Sequence, residues 1–250
     1  MLHSSRHRYS RLPVALLLLG ALSACATTAT HAADPRDPFE PINRVSYAVN
    51  DGLDRALVRP AAKAYRAVIP KFAQTGVSNV FSNAKYPVTM LNNALQGKFS
   101  AAASDTGRFV LNTTVGIGGL FDPASAAGLE RHDEDFGQTF GVWGIGAGPY
   151  FFVPFFGPTT LRDGFGSLAD DIGEPRSHLE DDSTRWSLWM FDKFETRVRI
   201  LDADAVLDRS GDPYAFVRSA YLQRREYQVR DGNVPAEDLE AEFAEEDQPK

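Results

Sequence analysis

The sequence predicts an all-α protein made of many short helices, interrupted by one irregular segment rich in glycine, proline and aromatic residues. Three observations lead there. Helix-start signals recur along the chain, each followed by apolar residues at helical spacing. Convincing alternating strands are absent, and no tandem repeat is visible. Finally, residues 144–158 (GIGAGPYFFVPFFGP) pack five aromatics among four glycines and three prolines. Proline removes backbone donors and fixes φ, which opposes both an unbroken helix and a central strand there.

The first helix is announced by Asp37-Pro38-Phe39-Glu40, which offers an N-cap, proline at the first helical position and an acid at the third. Ile42, Val45, Val49, Leu53 and Leu57 follow at helical spacing. Arg59-Pro60 is expected to break this helix and open a second, which runs to about Ile69. A third is expected from Lys71 to about Phe81. Pro87 is expected to open a fourth, ending at Gly97, and a fifth starts near Ser100. The run Val115-Gly116-Ile117-Gly118-Gly119-Leu120 lacks the Lys-Ser or Lys-Thr of a phosphate loop, so it reads as an apolar turn that lets neighbouring backbones approach. Asp122-Pro123 starts a short helix closed by Gly128. His132-Asp133-Glu134-Asp135 reads as a solvated turn capping a helix from Phe136 to about Trp143. Adjacent side chains cannot all point at one ion, so no metal site is expected.

The aromatic segment comes next. Fifteen residues are too few to span a bilayer as a helix, which takes about 20, and exposed loops rarely carry so much aromatic surface. Two placements fit: packing in a core, or lying at membrane depth against protein, where non-helical backbone is tolerated. Thr160-Leu161-Arg162-Asp163 resembles a capping box and starts a helix to about Ile172, and Gly173-Glu174-Pro175 turns the chain. Trp186, Trp189, Met190, Phe191, Phe194, Val198 and Leu201 mark an aromatic helix from about Ser183. Such a face is more often core than membrane anchor. Asp212-Pro213 starts the last helix, with Tyr214, Val217 and Tyr221 on one side.

The N-terminus sets the compartment. Arg6, Arg8 and Arg11 precede an apolar run from Val14, and Leu22-Ser23-Ala24-Cys25 follows. This is the layout of a signal peptide over residues 1–24. Its end resembles a bacterial lipobox, in which the cysteine is acylated and becomes the first mature residue. Cys25 is the only cysteine, so no disulfide forms within the chain, and two or three acyl chains would give a stable anchor. Ala26 at the next position resembles the sorting pattern for the outer membrane. Residues 25–36 read as a flexible linker, 37–230 as the helical domain and 231–250 as an acidic disordered tail.

The formal net charge is −7, and removal of the signal peptide takes away three arginines and no acid. That argues against nucleic acid as a partner and against a polybasic membrane patch. Catalytic patterns are missing too. There is no G-x-S-x-G elbow and no H-E-x-x-H, and the one cysteine is spent on lipid. The chain is read as a non-enzyme without cofactor.

Three stretches together resemble one family. They are Asp37-Pro38-Phe39-Glu40-Pro41-Ile42-Asn43-Arg44, then Arg108 to Asp122 (RFVLNTTVGIGGLFD), then Asp135 to Gly141 (DFGQTFG) running on through Gly148-Pro149-Tyr150 to Leu161-Arg162-Asp163. The resemblance is to the MlaA (VacJ) outer-membrane phospholipid-transport lipoproteins, over about Asp37 to Gln228. It implies a ring of short amphipathic helices lying in the membrane interface around a narrow amphipathic channel. The implied partners are phospholipid, the outer-membrane bilayer, a trimeric porin and a periplasmic lipid carrier of the Mla type, and the implied task is clearing mislaid phospholipid from the outer leaflet. A soluble periplasmic binding or scaffold domain tethered by Cys25 is the competing expectation. On the family reading, Asn43, Arg44, Arg162 and Asp163 are candidates for the channel or its gate. Tyr150, Phe151, Phe152, Phe155 and Phe156 are candidates for facing the membrane. The local alternative is that Arg44 pairs with a nearby acid and Asp163 caps a helix.

Overall fold

A computed structural model describes residues 34–233. The expected signal peptide, Cys25, most of the expected linker and the stretch beyond Asn233 lie outside the described residues. Helix dominates, and each local start signal has a definite outcome. α1 spans Glu40–Leu53 and α2 spans Arg59–Val68. The expected break between them is instead a π turn, Asp54–Val58, closed by the Arg59 N–H on the Asp54 carbonyl. Pro60 has no N–H for an ordinary helical ladder, and the wider turn carries the helix past its ring. Nor does Asp37 cap α1. The N-cap position falls on Phe39, which makes no side-chain cap bond, and Asp37 is buried.

The expected third and fourth helices are one helix, α3, Lys71–Leu95, with Pro87 inside it. An interior proline costs about 3 kcal/mol. Burial of Tyr86, Val88, Thr89, Asn92 and Asn93 around it opposes that cost. α4, Phe99–Thr114, folds back along α3. The rungs between them are polar: Asn93 to Asp105 at 2.9 Å, Arg108 to Tyr86 at 2.6 Å and Asn83 to Thr113 at 2.9 Å. The glycine-rich turn after α4 does bring backbones together. A Cβ at Gly116 would lie 2.4 Å from the Asn112 carbonyl oxygen, and one at Gly119 would lie 2.4 Å from Asn83. α5, Pro123–Ala126, is capped by Asp122, and α6, Phe136–Val142, by Asp135, both as the sequence predicts.

The aromatic segment is not irregular throughout. It forms an antiparallel hairpin of β1, Tyr150–Val153, and β2, Gly157–Thr160, paired Tyr150 to Thr160 through Val153 to Gly157. Proline is tolerated because a two-stranded sheet consists only of edges. Pro154, Phe155 and Phe156 make the turn, with Phe155 at φ 67°. α7, Leu161–Gly173, follows under a Thr160 cap, and a 3-10 turn, Pro175–His178, leads to α8, Asp182–Arg199. A second 3-10 turn, Leu201–Ala203, and the short α9, Asp204–Leu207, lead to α10, Pro213–Val229, which is capped by Asp212.

What the helices enclose is polar. Among the described residues, buried polar and charged side chains outnumber buried hydrophobic ones, and most large apolar side chains lie on the outside. α1 buries Asn43 and exposes Ile42, Val45 and Val49. α7 buries Arg162 and Asp163 and exposes Phe165, Leu168 and Ile172. α8 buries Asp192 and Glu195 and exposes Trp186 and Met190. The expectation that the aromatic face of α8 is core therefore fails for its first half. Two small hydrophobic clusters remain: Ala62, Val198 and Leu201 joining α2 to α8, and Tyr150, Phe152 and Tyr214 joining the hairpin to α10. No helix among the described residues is long and apolar enough to cross a membrane.

Candidate functional site

Among the buried polar knots of the interior, two hold the four sequence-predicted polar candidates, which divide between them. The first knot grips the hairpin. Asn43, only 2% exposed, donates to the Asp37 carboxylate at 2.7 Å and the Tyr150 carbonyl at 3.1 Å, and accepts from the Phe152 N–H at 2.9 Å. Two turns further along α1, Asn50 accepts from the Phe155 N–H at 2.8 Å. The two asparagines share a face of α1 and hold strand and turn together. Asp37 also accepts from Tyr214 at 2.5 Å and Arg218 at 2.9 Å. Burial, with the bond to Asp37 adding to it, raises the Tyr214 phenol above its ordinary pKa, so it stays a donor.

Arg44 lies at the edge of this knot. It donates to Glu40 at 2.7 Å and pairs in fork geometry with Asp212 at 2.7 and 3.1 Å, its guanidinium 4.5 Å above the Tyr214 ring. The pairing expected as the local alternative is thus what the geometry contains. It ties α1 to the cap of α10.

The second knot joins α6, α7 and α10. Asp163 accepts from Tyr221 at 2.8 Å and from Arg225 and Arg162 at 3.0 Å each. Arg225 also forks onto Asp135 at 2.6 and 2.9 Å. Asp163 does not cap α7 with its side chain; its own N–H is capped by Thr160 at 3.2 Å. Desolvation pushes the Asp163 pKa up, but Arg225 and Arg162 outweigh it and hold the carboxyl below the usual range. Glycine makes the knot possible. A Cβ at Gly137 would meet Arg225 at 2.5 Å, and one at Gly166 would meet the Gly137 nitrogen at 2.3 Å. Two turns further along the same face of α7, Asp170 accepts from the Phe136 N–H at 3.0 Å. Burial first, then the nearby Asp135 and Glu174 charges, raises its pKa to about 7.

The five aromatic candidates separate. Tyr150 and Phe152 do not face outward: both are buried against Tyr214 and Tyr47, because alternate residues of a strand point to opposite sides. Phe151 is half-buried and stacks on Phe39 at 5.2 Å. Phe155 and Phe156, at the hairpin turn, are 67% and 59% exposed. Phe156 packs 4.9 Å from Trp189 of α8. Sequence reasoning missed Asn50, Asp37, Tyr221 and Arg225. A polar residue recurring on one face of an apolar helix, as Asn43 and Asn50 do, was the available signal for the first.

A mostly helical fold with polar side chains inside, large apolar ones outside and, among the described residues, no helix long and apolar enough to cross a membrane defines a class: helical proteins with inverted burial. Within that class, residues 35–228 match the MlaA lipoprotein family, and the chain belongs to it. It is 38% identical over 248 residues to the intermembrane phospholipid transport system lipoprotein MlaA of Escherichia coli (strain K12), covering 95% of this chain and 97% of that protein. The Haemophilus influenzae protein of the same name is 30% identical over 206 residues, 77% of this chain and 78% of that one. A solved structure from work on the maintenance of bacterial outer-membrane lipid asymmetry aligns with a TM-score of 0.71 at 38% identity, covering 77% of this chain and 98% of its own.

Proposed function

We propose that this chain is the outer-membrane lipoprotein of an intermembrane phospholipid transport system. It takes phospholipid mislaid in the outer leaflet along a polar-lined path and passes it to a periplasmic carrier of the Mla type, so keeping the outer membrane asymmetric. The observation that carries this reading is the inverted burial: charged and amide side chains fill the interior while Phe, Trp, Leu and Ile cover the outside. A phospholipid moving between leaflets needs a polar route for its headgroup beside apolar surface for its chains, and a helical shell of this kind supplies both. Membership of the MlaA lipoprotein family supports the same reading. Lipidation at Cys25, seating in the bilayer by the exposed hairpin turn, and association with a trimeric porin belong to the proposal. So do roles for Asn43 and Arg44 in setting the hairpin, and for Arg162 and Asp163 along the headgroup path.

The test removes the acyl chains. The native signal is replaced with a non-lipoprotein one and Cys25 is changed to Ser. The expected result is a folded protein that stays with membranes and needs detergent for extraction. A soluble, folded periplasmic monomer would overturn the embedded reading in favour of a tethered binding or scaffold domain.

A further inference from the structure

Beside the second knot is an open cleft of about 560 Å³, between the end of α6 with the loop after it, the start of α7 and the end of α10. Its contents are unusual. Arg162 lines it while only 8% exposed. Two of its guanidinium nitrogens, Nε and Nη2, lie against Asp163, each 3.0 Å from Oδ1. Its third nitrogen, Nη1, has no hydrogen-bond partner among the described residues and lies beside Gly141, 2.9 Å from where a Cβ would stand. Nη1 is not enclosed, so it is a guanidinium donor that an anion in the cleft can reach. The Gly146 and Ala147 backbone N–H groups on the same cleft wall also donate to nothing among the described residues. No atom stands within 4 Å of a Cβ position at Gly146, so a ligand can reach that backbone. Val142, Ile145 and Val229 supply apolar wall around these donors. The two acids at the rim are already paired, Glu226 with Arg230 and Asp231 with Lys98.

We propose that this cleft binds a phosphate group, with Arg162 Nη1 and the Gly146 and Ala147 N–H groups as its donors. A diacyl lipid headgroup is the natural source on the transport reading, on which that part of the proposal rests. Free phosphate offers the same chemistry. A planar guanidinium and unpaired backbone N–H groups lining one cleft suit phosphate oxygens, while the apolar wall suits the first carbons of an acyl chain.

Full-length lipoprotein in a phosphate-free maltoside detergent is titrated by calorimetry with dihexanoyl-phosphatidylglycerol, dihexanoylglycerol and inorganic phosphate. Arg162→Gln removes the donor but also a partner of Asp163. Ile145→Asp therefore serves as the second variant: it puts a carboxylate on the wall at an exposed position and leaves the Arg162–Asp163 pair intact. Both variants are expected to weaken the phosphatidyl probe about tenfold or more, with binding of the phosphate-free lipid unchanged. Inorganic phosphate binding as tightly as the phosphatidyl probe, with the same dependence on Arg162, would keep the phosphate site and overturn its lipid source. Wild-type affinity for the phosphatidyl probe in a folded Ile145→Asp protein would overturn the cleft itself. The transport reading fails separately, if cells lacking the chain keep phospholipid off their surface.

Discussion

The hairpin and α8 are the two most aromatic parts of the molecule, and they handle their aromatic residues differently. The hairpin buries Tyr150 and Phe152 between α1 and α10 and exposes its turn and the end of β1. α8 does the reverse: Trp186, Met190 and Phe191 face out, while Asp192 and Glu195 face in. The two regions touch where Phe156 meets Trp189. The difference teaches that hydrophobicity alone does not decide burial here. A side chain is buried where another element covers it with matching hydrogen bonds, as Asn43 and Asn50 do for the hairpin backbone. Elsewhere the apolar surface is left outward, which in water would be a large exposed patch and against lipid is ordinary.

The strongest way to break the comparison is to cut the hairpin loose. Asn43→Leu strands the Phe152 N–H, the Tyr150 carbonyl and one oxygen of Asp37 in a buried place. A loss of about 3 kcal/mol is expected, read by denaturation in detergent, with new protease cleavage between residues 149 and 161. Unchanged stability would mean that the strap is not what covers the aromatics.

The next change sharpens the contrast within α8. Val198→Ala, at a buried position, should cost about 2 kcal/mol, whereas Met190→Ala, 63% exposed, should stay within about 0.5 kcal/mol in detergent. Equal costs at the two sites would contradict an outward apolar face.

A smaller effect tests the polar interior through pH. The folded Asp170 has its pKa raised to about 7, so the native state holds its proton more tightly than the unfolded chain does. Stability contributed by this group is complete below the ordinary carboxylate range and falls as pH rises towards 7. Asp170→Asn should therefore stabilise the protein at pH 8, by about 1 kcal/mol after allowing for solvent screening, and change nothing at pH 4. Equal melting shifts at both pH values would refute the charge argument.

The smallest effect on the fold is expected at the hairpin turn. Phe155 sits at positive φ, a conformation that Asp tolerates better than Phe. Phe155→Asp should leave stability in detergent within about 0.5 kcal/mol while reducing the fraction that sediments with vesicles. Unchanged sedimentation would remove Phe155 from the membrane-facing set.

Much of the helical layout was legible because its signals are local. Asp122, Asp135, Thr160 and Asp212 each accept from an N–H three residues on, as their caps predict. Proline was read too literally, at Pro60 and Pro87, where a π turn and tertiary packing carry the helix through. The hairpin was hidden because four-residue strands with proline carry almost no alternation, and its support comes from distant residues. Of the polar candidates, Asn43, Arg44, Arg162 and Asp163 all lie in the two knots, yet none of their principal partners across the fold follows from spacing.

The chain by itself determined where the capped helices start, at Asp122, Asp135, Thr160 and Asp212, and that a single cysteine follows an apolar run near the N-terminus. A capping bond closes within one turn, so a few neighbouring residues suffice to specify it. Only the tertiary structure decided which face of each helix turns inward. Asp37 meets Tyr214 and Arg218 across 177 and 181 residues of chain. Whether a carboxylate ends up capping its own helix or anchoring another depends on which long loops close, and an amphipathic pattern reads the same whether its apolar side meets a core or a lipid.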